Sequence, residues 1–441
     1  MMKNGILKVG QKLKTVSGVD CEIEELLGDG AQGEVYRVSL AGKKMALKWY
    51  KPEFARSEQK EALASIVKRD APNDKFLWPL DLVIPPGGSS FGYIMPLREG
   101  RYHSLTDLMR RRVKPSFRVL TTAAFYHVDS YFQLHAQGLC YRDINFGNVF
   151  FDPKTGDVLI CDNDNVAVNG DQLHFIDGTP GFIAPEIIRG QAAPGAKTDL
   201  FSLSVLLFYL LMIHHPLNGK KEADIQIFDQ EAQRRLYGIE PVFIFDPNDE
   251  SNRPVPGYQD NALIFWPLYP QFLRNLFTRA FTDGLKDPEN GRVRENEWRN
   301  ALVRLRNSIF YCPHCNAENF YDVAYLKYTG GKPAPCWKCR QTPELPFRMR
   351  IGDTIIMLNH DTQLFPHHID FQRRWDFSHP VAEVSRHPHN PALRGLKNLS
   401  QEKWILTKSD GSIQEVETGR NAPLAAGNKI NFGNVEGEIR Y

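Results

Sequence analysis

Three polar side chains between Tyr141 and Asp164 have the types and spacing of a phosphoryl-transfer site. Asp143 and Asn148 lie five positions apart on a predicted loop, and Asp162 directly follows a short strand-like run. An aspartate can orient an attacking hydroxyl and accept its proton, while an asparagine and a second aspartate supply the hard oxygen ligands that Mg2+ prefers beside nucleotide phosphates. The alternative interpretation is a polar β-hairpin in which these residues only make turns.

A glycine-rich segment and a lysine near the start of the chain could also bind phosphate. Gly28, Gly30 and Gly33 form a GxGxxG pattern between two predicted strands. Glycines let backbone amides approach phosphate groups because no Cβ stands in the way. A strand follows the glycines, whereas a dinucleotide-binding fold requires a helix there. Lys48 then lies in an apolar predicted strand, where an unpaired charge is costly, so we expect it to meet nucleotide phosphates or a carboxylate of a helix.

Six motifs in this order resemble the signature set of a eukaryotic-type serine/threonine protein kinase. They are GDGAQGEVY, MALK, YRDINFGN, DND, GTPGFIAPE and KTDLFSLSV. The resemblance implies an α+β, bilobal kinase fold over residues 1–308, with an N-lobe at about 18–97 and a C-lobe at about 98–308. It also implies an enzyme that uses ATP and Mg2+ to phosphorylate hydroxyl groups of a protein substrate.

The same resemblance implies a role for each residue of the nucleotide site. Asp143 is the catalytic base, and Lys48 holds the α and β phosphates of ATP. Asn148 and Asp162 bind Mg2+. The residues implied to contact the nucleotide are the loop glycines and further N-lobe positions: Gly28, Gly30, Gly33, Val35, Ala46, Lys48, Met95 and Leu97.

A glutamate on the predicted helix SEQKEALASIV is expected to pair with Lys48 and is counted with the cofactor-binding residues. We favour Glu61, because it precedes apolar positions of that helix, and keep Glu58 as the alternative. Whichever glutamate does not pair is expected on a solvated helix face. A second helix is predicted from Phe117 to Gln137, ending at Gly138.

The resemblance places other residues around the catalytic loop, which is the motif YRDINFGN. Thr179 is implied to contact Asp143, which favours serine or threonine acceptors over tyrosine. Glu186 and Arg292 are implied to form an ion pair, and Asp199 to support the backbone of the catalytic loop.

The chain departs from the kinase pattern at two positions close to the phosphates. Asn145 stands where serine/threonine kinases carry a lysine that meets the γ-phosphate, and Asp164 replaces the glycine after the metal-binding aspartate. The missing lysine removes a cation that would stabilise transition-state charge. The alternative function is therefore a nucleotide-binding pseudokinase scaffold. A third interpretation places the main function in a C-terminal binding module.

Two CxxC pairs later in the chain predict a structural zinc site. Cys312 and Cys315 precede Cys336 and Cys339, with 20 residues between the pairs. Four thiolates complete a tetrahedral Zn2+ site and leave no open position for chemistry. Disulfides are not expected in a reducing cytoplasm. Residues 309–345 are therefore predicted to form a zinc ribbon.

Residues 346–441 alternate strand-like runs with turns and predict an all-β, sandwich-like domain. The runs GDTIIMLN and APLAAGNKINFG weakly resemble a forkhead-associated domain, although the elements that hold phosphate in that family are not evident. A docking or stabilising role is the favoured interpretation. The complete arrangement is similar to bacterial kinases of tellurite-resistance-related clusters. That similarity implies a von Willebrand A-type protein and a metal-dependent protein phosphatase as partners.

Composition limits the remaining classes of function. The chain has 441 residues, 42% of them hydrophobic, which favours two or three packed domains. A net charge of +2 gives no electrostatic argument for nucleic acid or an anionic membrane as partner. The N-terminal sequence lacks a secretion signal, and Leu203–Ile213 is too short to span a bilayer and is predicted to be a buried helix. A cytoplasmic protein is expected.

Overall fold

The computed structural model describes residues 5–170, 178–387 and 389–441. The chain divides into two compact units. The first runs to Pro115 and adds Thr122–Ala262 and Thr278–Glu295. The second comprises Ser116–Thr121, Leu263–Phe277 and Asn296–Tyr441. This division differs from the predicted boundary at residue 308, because three segments of the predicted C-lobe group with the C-terminal part of the chain.

Six strands form the antiparallel sheet at the start of the first unit: β1 (Lys12–Lys14), β2 (Asp20–Asp29), β3 (Gly33–Leu40), β4 (Lys43–Tyr50), β5 (Asp81–Val83) and β6 (Gly92–Pro96). Their order is β1-β2-β3-β4-β6-β5, and α1 (Ser57–Ile66) lies between β4 and β5 in the chain. Alternate residues of β4 enter two different cores. Leu47 and Trp49 pack on one side, and Ala46 and Tyr50 on the other. Because side chains alternate along a strand, Lys48 shares the side of Ala46 and Tyr50.

Helices predominate between residues 97 and 308. The elements are β7 (His103–Ser104), α2 (Leu105–Met109), α3 (Phe117–Ala136), β8 (Leu139–Cys140), β9 (Val149–Phe151), β10 (Val158–Ile160), β11 (Ala167–Val168), α4 (Pro185–Ile188), α5 (Ala196–Met212), α6 (Lys220–Ala223), α7 (Gln230–Arg234), α8 (Asp260–Phe265), α9 (Gln271–Phe281), α10 (Asp283–Lys286) and α11 (Glu295–Asn307). The predicted helix from Phe117 is confirmed as α3, and the chain turns at Gly138 with a φ of 73°.

The predicted buried helix is also confirmed, since α5 is buried along most of its length and ends where Ile213 adopts a left-handed conformation with φ 52°. Within the described ranges, none of the helices combines the length and the apolar character that crossing a bilayer requires.

The C-terminal part of the second unit is built mainly from strands. The elements are β12 (Ile309–Tyr311), β13 (Glu318–Phe320), α12 (Val323–Tyr328), β14 (Arg348–Ile351), β15 (Thr354–Met357), β16 (Gln363–Leu364), α13 (Pro366–Ile369), β17 (Ala382–His387), β18 (Asn390–Asn398), β19 (Trp404–Thr407), β20 (Ile413–Val416), β21 (Asn421–Pro423), β22 (Lys429–Asn431) and β23 (Glu436–Arg440).

Two of its sheets enclose one apolar core. One has the order β15-β14-β23-β22-β19-β20, and the other has the order β16-β17-β18-β21. Met349 and Trp404 of the first sheet pack in the same cluster as Leu396 and Ala422 of the second. The prediction of a β-rich C-terminal domain is confirmed, and two sheets sharing one core are the arrangement of a sandwich.

Candidate active site

Lys48 is paired with two aspartates of the segment that follows β10. Its Nζ lies 2.9 Å from Asp164 Oδ2 and 3.4 Å from Asp162 Oδ1. The side chain of Lys48 is 7% exposed and that of Asp164 is 0% exposed. Buried charges are tolerated only when they are paired and hydrogen-bonded. The strand lysine is therefore held by the segment that also carries the predicted metal ligand Asp162.

The predicted pairing of Lys48 with Glu61 is wrong. Glu61 and the alternative, Glu58, are both exposed on α1. The α1 residue that reaches the site is Gln59, whose Nε2 donates to the Tyr50 hydroxyl at 3.2 Å. Asp164 takes the place that the helix glutamate holds in the predicted arrangement. One sequence signal could have identified Asp164. It is an additional acidic residue close to an apolar strand, where a buried carboxylate requires a cation as its partner.

Asp164 accepts hydrogen bonds from three side chains. Lys48 contacts both carboxylate oxygens, Tyr50 donates its hydroxyl to Oδ2, and Tyr93 donates its hydroxyl to Oδ1 at 3.2 Å. The register of the sheet explains the convergence, because Lys48 of β4 lies directly opposite Tyr93 of β6. Two tyrosines and a lysine on one sheet face therefore surround a single carboxylate.

Both members of this buried pair are charged. Burial raises the pKa of Asp164, but the Lys48 ammonium and the Tyr50 hydroxyl outweigh it and hold that pKa below its usual value. Burial lowers the pKa of Lys48, but the carboxylates of Asp164 and Asp162 raise it above its usual value. Attraction between opposite charges in a desolvated site is the common cause.

The two predicted Mg2+ ligands lie on neighbouring segments. The backbone N–H of Cys161 donates to the Asn148 carbonyl at 2.8 Å, which joins the end of the catalytic loop to the residue before Asp162. Asp162 adopts a left-handed conformation with φ 51°, and its side chain is 40% exposed. The next residue, Asn163, is buried and donates its Nδ2 to the Ile160 carbonyl at 3.0 Å. An accessible carboxylate beside an asparagine amide fits a hard divalent cation.

Asp143 is oriented by hydrogen bonds to both carboxylate oxygens. Its Oδ1 accepts from the backbone N–H and from the hydroxyl of Thr179, each at 3.2 Å, so the predicted contact with Thr179 is confirmed. Its Oδ2 accepts from Asn148 Nδ2 at 3.2 Å. Burial raises the pKa of Asp143, and the donors only partly offset this. A carboxylate with a raised pKa is a better proton acceptor in the transition state.

The predicted supports of the catalytic loop are confirmed. The Asp199 carboxylate accepts hydrogen bonds from two backbone N–H groups, that of Tyr141 at 2.6 Å and that of Arg142 at 2.9 Å. Glu186 pairs with Arg292 at 2.6 Å. The resemblance to kinases also predicts that Arg142 pairs with Asp171 or Asp177, and both aspartates lie outside the described residues.

His135 of α3 extends this support and was not predicted. Its Nε2 lies 3.2 Å from Asp199 Oδ2, and its Nδ1 lies 2.5 Å from Glu295 Oε1. Burial lowers the pKa of His135, but the two carboxylates outweigh it and raise that pKa to about 9. The imidazolium is therefore charged at neutral pH and links the carboxylates of Asp199 and Glu295. A single histidine in an amphipathic helix gives no sequence signal for this role.

The glycine-rich turn is shaped by a close approach of strands. A Cβ on Gly33 would lie 2.4 Å from the Trp49 carbonyl oxygen, so only glycine fits there. Gly28 and Gly30 are exposed at the turn that connects β2 to β3. Lys51 donates its Nζ to the Gly30 carbonyl at 2.8 Å, which holds the turn against the end of β4.

Four apolar residues that are predicted to contact the nucleotide are brought together by the sheet. Ala46 of β4 lies opposite Met95 of β6, and Val35 and Leu97 pack against the same apolar cluster. Leu159 of β10 belongs to this cluster as well. An apolar wall beside the paired Lys48 is the combination that a nucleotide requires, with a flat base and a charged phosphate chain.

Asn145 is a structural residue of the catalytic loop. It is 5% exposed, its Nδ2 donates to the Asp143 carbonyl at 3.1 Å, and its Oδ1 accepts the Gly147 N–H at 2.7 Å. The amide therefore fixes the backbone next to the proposed base, and a lysine could replace neither hydrogen bond with the same geometry.

Asn145→Lys is expected to lower the turnover of phosphoryl transfer about tenfold, because loss of both hydrogen bonds of the Asn145 amide displaces the loop that carries Asp143. Loss of two hydrogen bonds should also lower the free energy of unfolding by about 1–3 kcal/mol. Steady-state kinetics and thermal unfolding measure both effects. Asn145→Asp is the matched control, since it keeps the acceptor for Gly147 N–H. A rise in turnover would show that the missing lysine limits the enzyme.

The four predicted zinc ligands come together in the second unit. The Sγ atoms of Cys312, Cys315, Cys336 and Cys339 all lie within 4.8 Å of one another. Cys312 and Cys336 are buried, and Asn319 donates its Nδ2 to Cys336 Sγ at 3.6 Å. Four sulfur donors around one point, with a polar donor to one of them, fit a tetrahedral metal site.

A comparison with known families matches the protein kinase domain over residues 21–256. The chain belongs to the protein kinase family. The match covers the glycine-rich turn, Lys48, the catalytic loop and the segment from Asp162 to Glu186. It ends before the cysteine cluster and the two-sheet domain.

Relatives of this kinase chain are similar over part of their length. It is 30% identical to CBL-interacting protein kinase 4 of Oryza sativa over 38% of this chain and 37% of that protein. It is 30% identical to the DNA damage-responsive serine/threonine-protein kinase RqkA of Deinococcus radiodurans over 46% of this chain and 31% of that protein. It is 34% identical to CBL-interacting protein kinase 3 of Oryza sativa over 43% of this chain and 46% of that protein. The chain thus spans less than half of each of these relatives.

Proposed function

We propose that this protein is an ATP- and Mg2+-dependent serine/threonine protein kinase. The observation that carries the proposal is the orientation of Asp143, whose two carboxylate oxygens are fixed by Thr179 and Asn148 while its pKa is raised. A degenerate scaffold has no need to hold a catalytic carboxylate in this way. The Deinococcus relative is named as a serine/threonine-protein kinase, which agrees with the proposed acceptor class.

In the proposed reaction, the Asp143 carboxylate orients the acceptor hydroxyl and takes its proton. Lys48 would hold the nucleotide phosphates, and Asp162 and Asn148 would hold the metal ion. ATP bound with Mg2+ would supply the γ-phosphoryl group, with ADP as the leaving group, and a cation that neutralises the developing charge. The exposed carboxylate of Asp162 and the proximity of Asn148 support this assignment.

Asp164 is proposed as the positioning residue for Lys48. In this arrangement the Lys48 ammonium group is held by the segment that carries the metal ligand. The contact of α1 with this network is indirect, because Gln59 donates to the Tyr50 hydroxyl and not to Lys48. Movement of α1 would therefore change the position of the Lys48 ammonium group little. We infer that this kinase does not depend on a helix glutamate for its active geometry.

A cavity of about 260 Å³ next to Asp143 supports a protein acceptor. Thr179, Ile183 and Ile187 are among the residues that line it. A hydroxyl donor beside the base and an apolar wall next to it suit a serine or threonine flanked by an apolar residue.

The cysteine cluster is proposed to hold one structural Zn2+, which the sulfur donor set supports. A docking role for the two-sheet domain, its relation to forkhead-associated domains, and the association with a von Willebrand A-type protein and a protein phosphatase stay predictions from resemblance. The runner-up function is the nucleotide-binding pseudokinase scaffold, which Asn145 favours because no cation stands at its position.

Asp143→Asn is expected to lower phosphoryl transfer by about 10²–10⁴-fold, because the variant cannot accept the proton. Transfer from labelled ATP to the full chain itself and to casein measures the effect, and phosphoamino-acid analysis should find phosphoserine or phosphothreonine. Nucleotide affinity should stay unchanged. Asp70→Asn, at an exposed aspartate, is the matched control. A wild-type chain that binds nucleotide but transfers no phosphate would establish the scaffold instead.

A further inference from the structure

The second unit contains a groove of about 950 Å³ that the proposed kinase chemistry does not use. Residues of the cysteine-bearing segment and of the two-sheet domain both line it. Those that carry the argument are Glu344, Phe347, Arg386, Leu393, Arg394 and Leu424.

Two arginines face each other across the strands that border the groove. Arg386 of β17 lies directly opposite Arg394 of β18. Two residues earlier on β17, Val384 lies opposite Leu396, and both belong to the apolar core. Because side chains alternate along strands, the arginines continue this core-facing row past the end of the core. Like charges directly opposite each other destabilise a sheet, and an anion bound between them would offset that repulsion.

The described part of the chain provides no such anion. Among the described residues, neither Arg386 nor Arg394 has a carboxylate within ion-pair distance, whereas Lys397 of the same β18 pairs with Glu383 of β17 at 3.3 Å. Glu344 is the one acidic side chain among the described residues that line the groove. Arg386 is exposed and Arg394 is half-buried. Their guanidinium groups therefore make the groove electropositive and are accessible.

An apolar wall runs beside the arginines. Leu393 is 57% exposed, and Phe347 and Leu424 line the same groove. The Phe347 ring packs against the Tyr441 ring with centroids 5.0 Å apart. A ligand with charged groups alone would leave the apolar wall exposed to water. A purely apolar ligand would leave the two guanidinium groups without a counter-charge.

We propose that the groove binds an extended acidic peptide segment of a partner protein, with side-chain carboxylates on Arg386 and Arg394 and an apolar side chain against Leu393 and Phe347. Guanidinium groups match carboxylates in a bidentate geometry, which gives the arginines both affinity and orientation. The volume lies at the upper end for small-molecule sites, which suits several residues of extended chain. This inference concerns recognition of a partner and is independent of phosphoryl transfer.

Fluorescence anisotropy on the full chain tests the proposal. The probe is a fluorescein-labelled decapeptide pool in which glutamate alternates with a mixture of leucine, phenylalanine and valine. Saturable binding is expected, about tenfold weaker in Arg386→Gln and in Arg394→Gln, and about a hundredfold weaker in the double variant, since each loses a charge-assisted contact. Arg420→Gln, an exposed arginine outside the groove lining, should bind as the wild type does.

Thermal unfolding separates lost binding from lost folding. Without peptide, the double variant should unfold at the wild-type temperature or above it, because it relieves repulsion between like charges. A pool with glutamine in place of glutamate should not bind. The proposal is overturned by no saturable binding to the wild type, by equal binding to the double variant or of the glutamine pool, or by a phosphoserine pool that binds more than tenfold tighter than the glutamate pool.

Discussion

Replacement of Asp164 by asparagine is expected to lower kcat for phosphoryl transfer by about 10²–10³-fold and to raise KM for ATP. Lys48 would lose the charge that fixes its ammonium group and would turn toward Asp162 alone, so it would no longer be pre-organised for the phosphates. Asparagine keeps one acceptor oxygen, for either the Tyr50 or the Tyr93 hydroxyl, whereas those hydroxyls donate to different oxygens of Asp164. We choose it because Asp164→Ala would remove that acceptor as well as the buried ion pair, whose loss costs about 3–5 kcal/mol in the free energy of unfolding. Steady-state kinetics with varied ATP measure the effect.

Glu61→Gln is the matched control for Asp164. Because Glu61 is exposed on α1, this variant should retain turnover within about twofold of the wild type, as exposed substitutions away from a site usually do. A rescue variant makes the test sharper. Asp164→Gly should be nearly inactive, and adding Gln59→Glu should restore part of the activity, since Gln59 reaches the Tyr50 hydroxyl beside Asp164. Loss of turnover in Glu61→Gln with full activity in Asp164→Asn would refute the assignment.

Replacement of Cys336 by serine is expected to release metal and to unfold the cysteine-bearing segment. The four sulfur atoms surround one point, and among the described residues the apolar cluster there consists of the four ligands, Ala317 and Trp337. A segment with so little core depends on the metal for its folding free energy, which for structural zinc sites is on the order of 10 kcal/mol. Metal analysis of the wild type should find about one zinc per chain, as four protein ligands imply.

Limited proteolysis should cut Cys336→Ser between residues 309 and 345, while the wild type resists. Cys21→Ser is the matched control, because Cys21 is equally buried but lies in the sheet core of the first unit, away from the cluster. The control should keep its zinc. Nucleotide binding should survive in Cys336→Ser. A wild-type chain without metal, or with a disulfide between these cysteines under reducing conditions, would contradict the zinc assignment. Loss of nucleotide binding in Cys336→Ser would contradict the expectation that the nucleotide site does not depend on the metal site.

Local patterns in the sequence were sufficient for much of the active site. Asp143, Asn148 and Asp162 lie within about twenty positions of each other on a hairpin and its flanking loops, so their spacing sets their geometry. The contact of Thr179 with Asp143 followed from a motif in the same way. The cysteine spacing likewise determined the cluster of four Sγ atoms, because each CxxC turn presents two thiols to one point.

Long-range pairing was decided only by the tertiary structure. The sequence analysis offered Glu61 or Glu58 as the partner of Lys48, whereas the structure pairs Lys48 with Asp164, which is 116 residues away along the chain, and with Asp162. The choice depended on which carboxylate the packing of β4, β6 and β10 buries on the Lys48 face, and no periodicity or motif encodes that. The two arginines of the groove face each other for a similar reason. Strand register, not residue type, places Arg386 opposite Arg394, because a one-residue change in register would move one of them to the other face of the sheet.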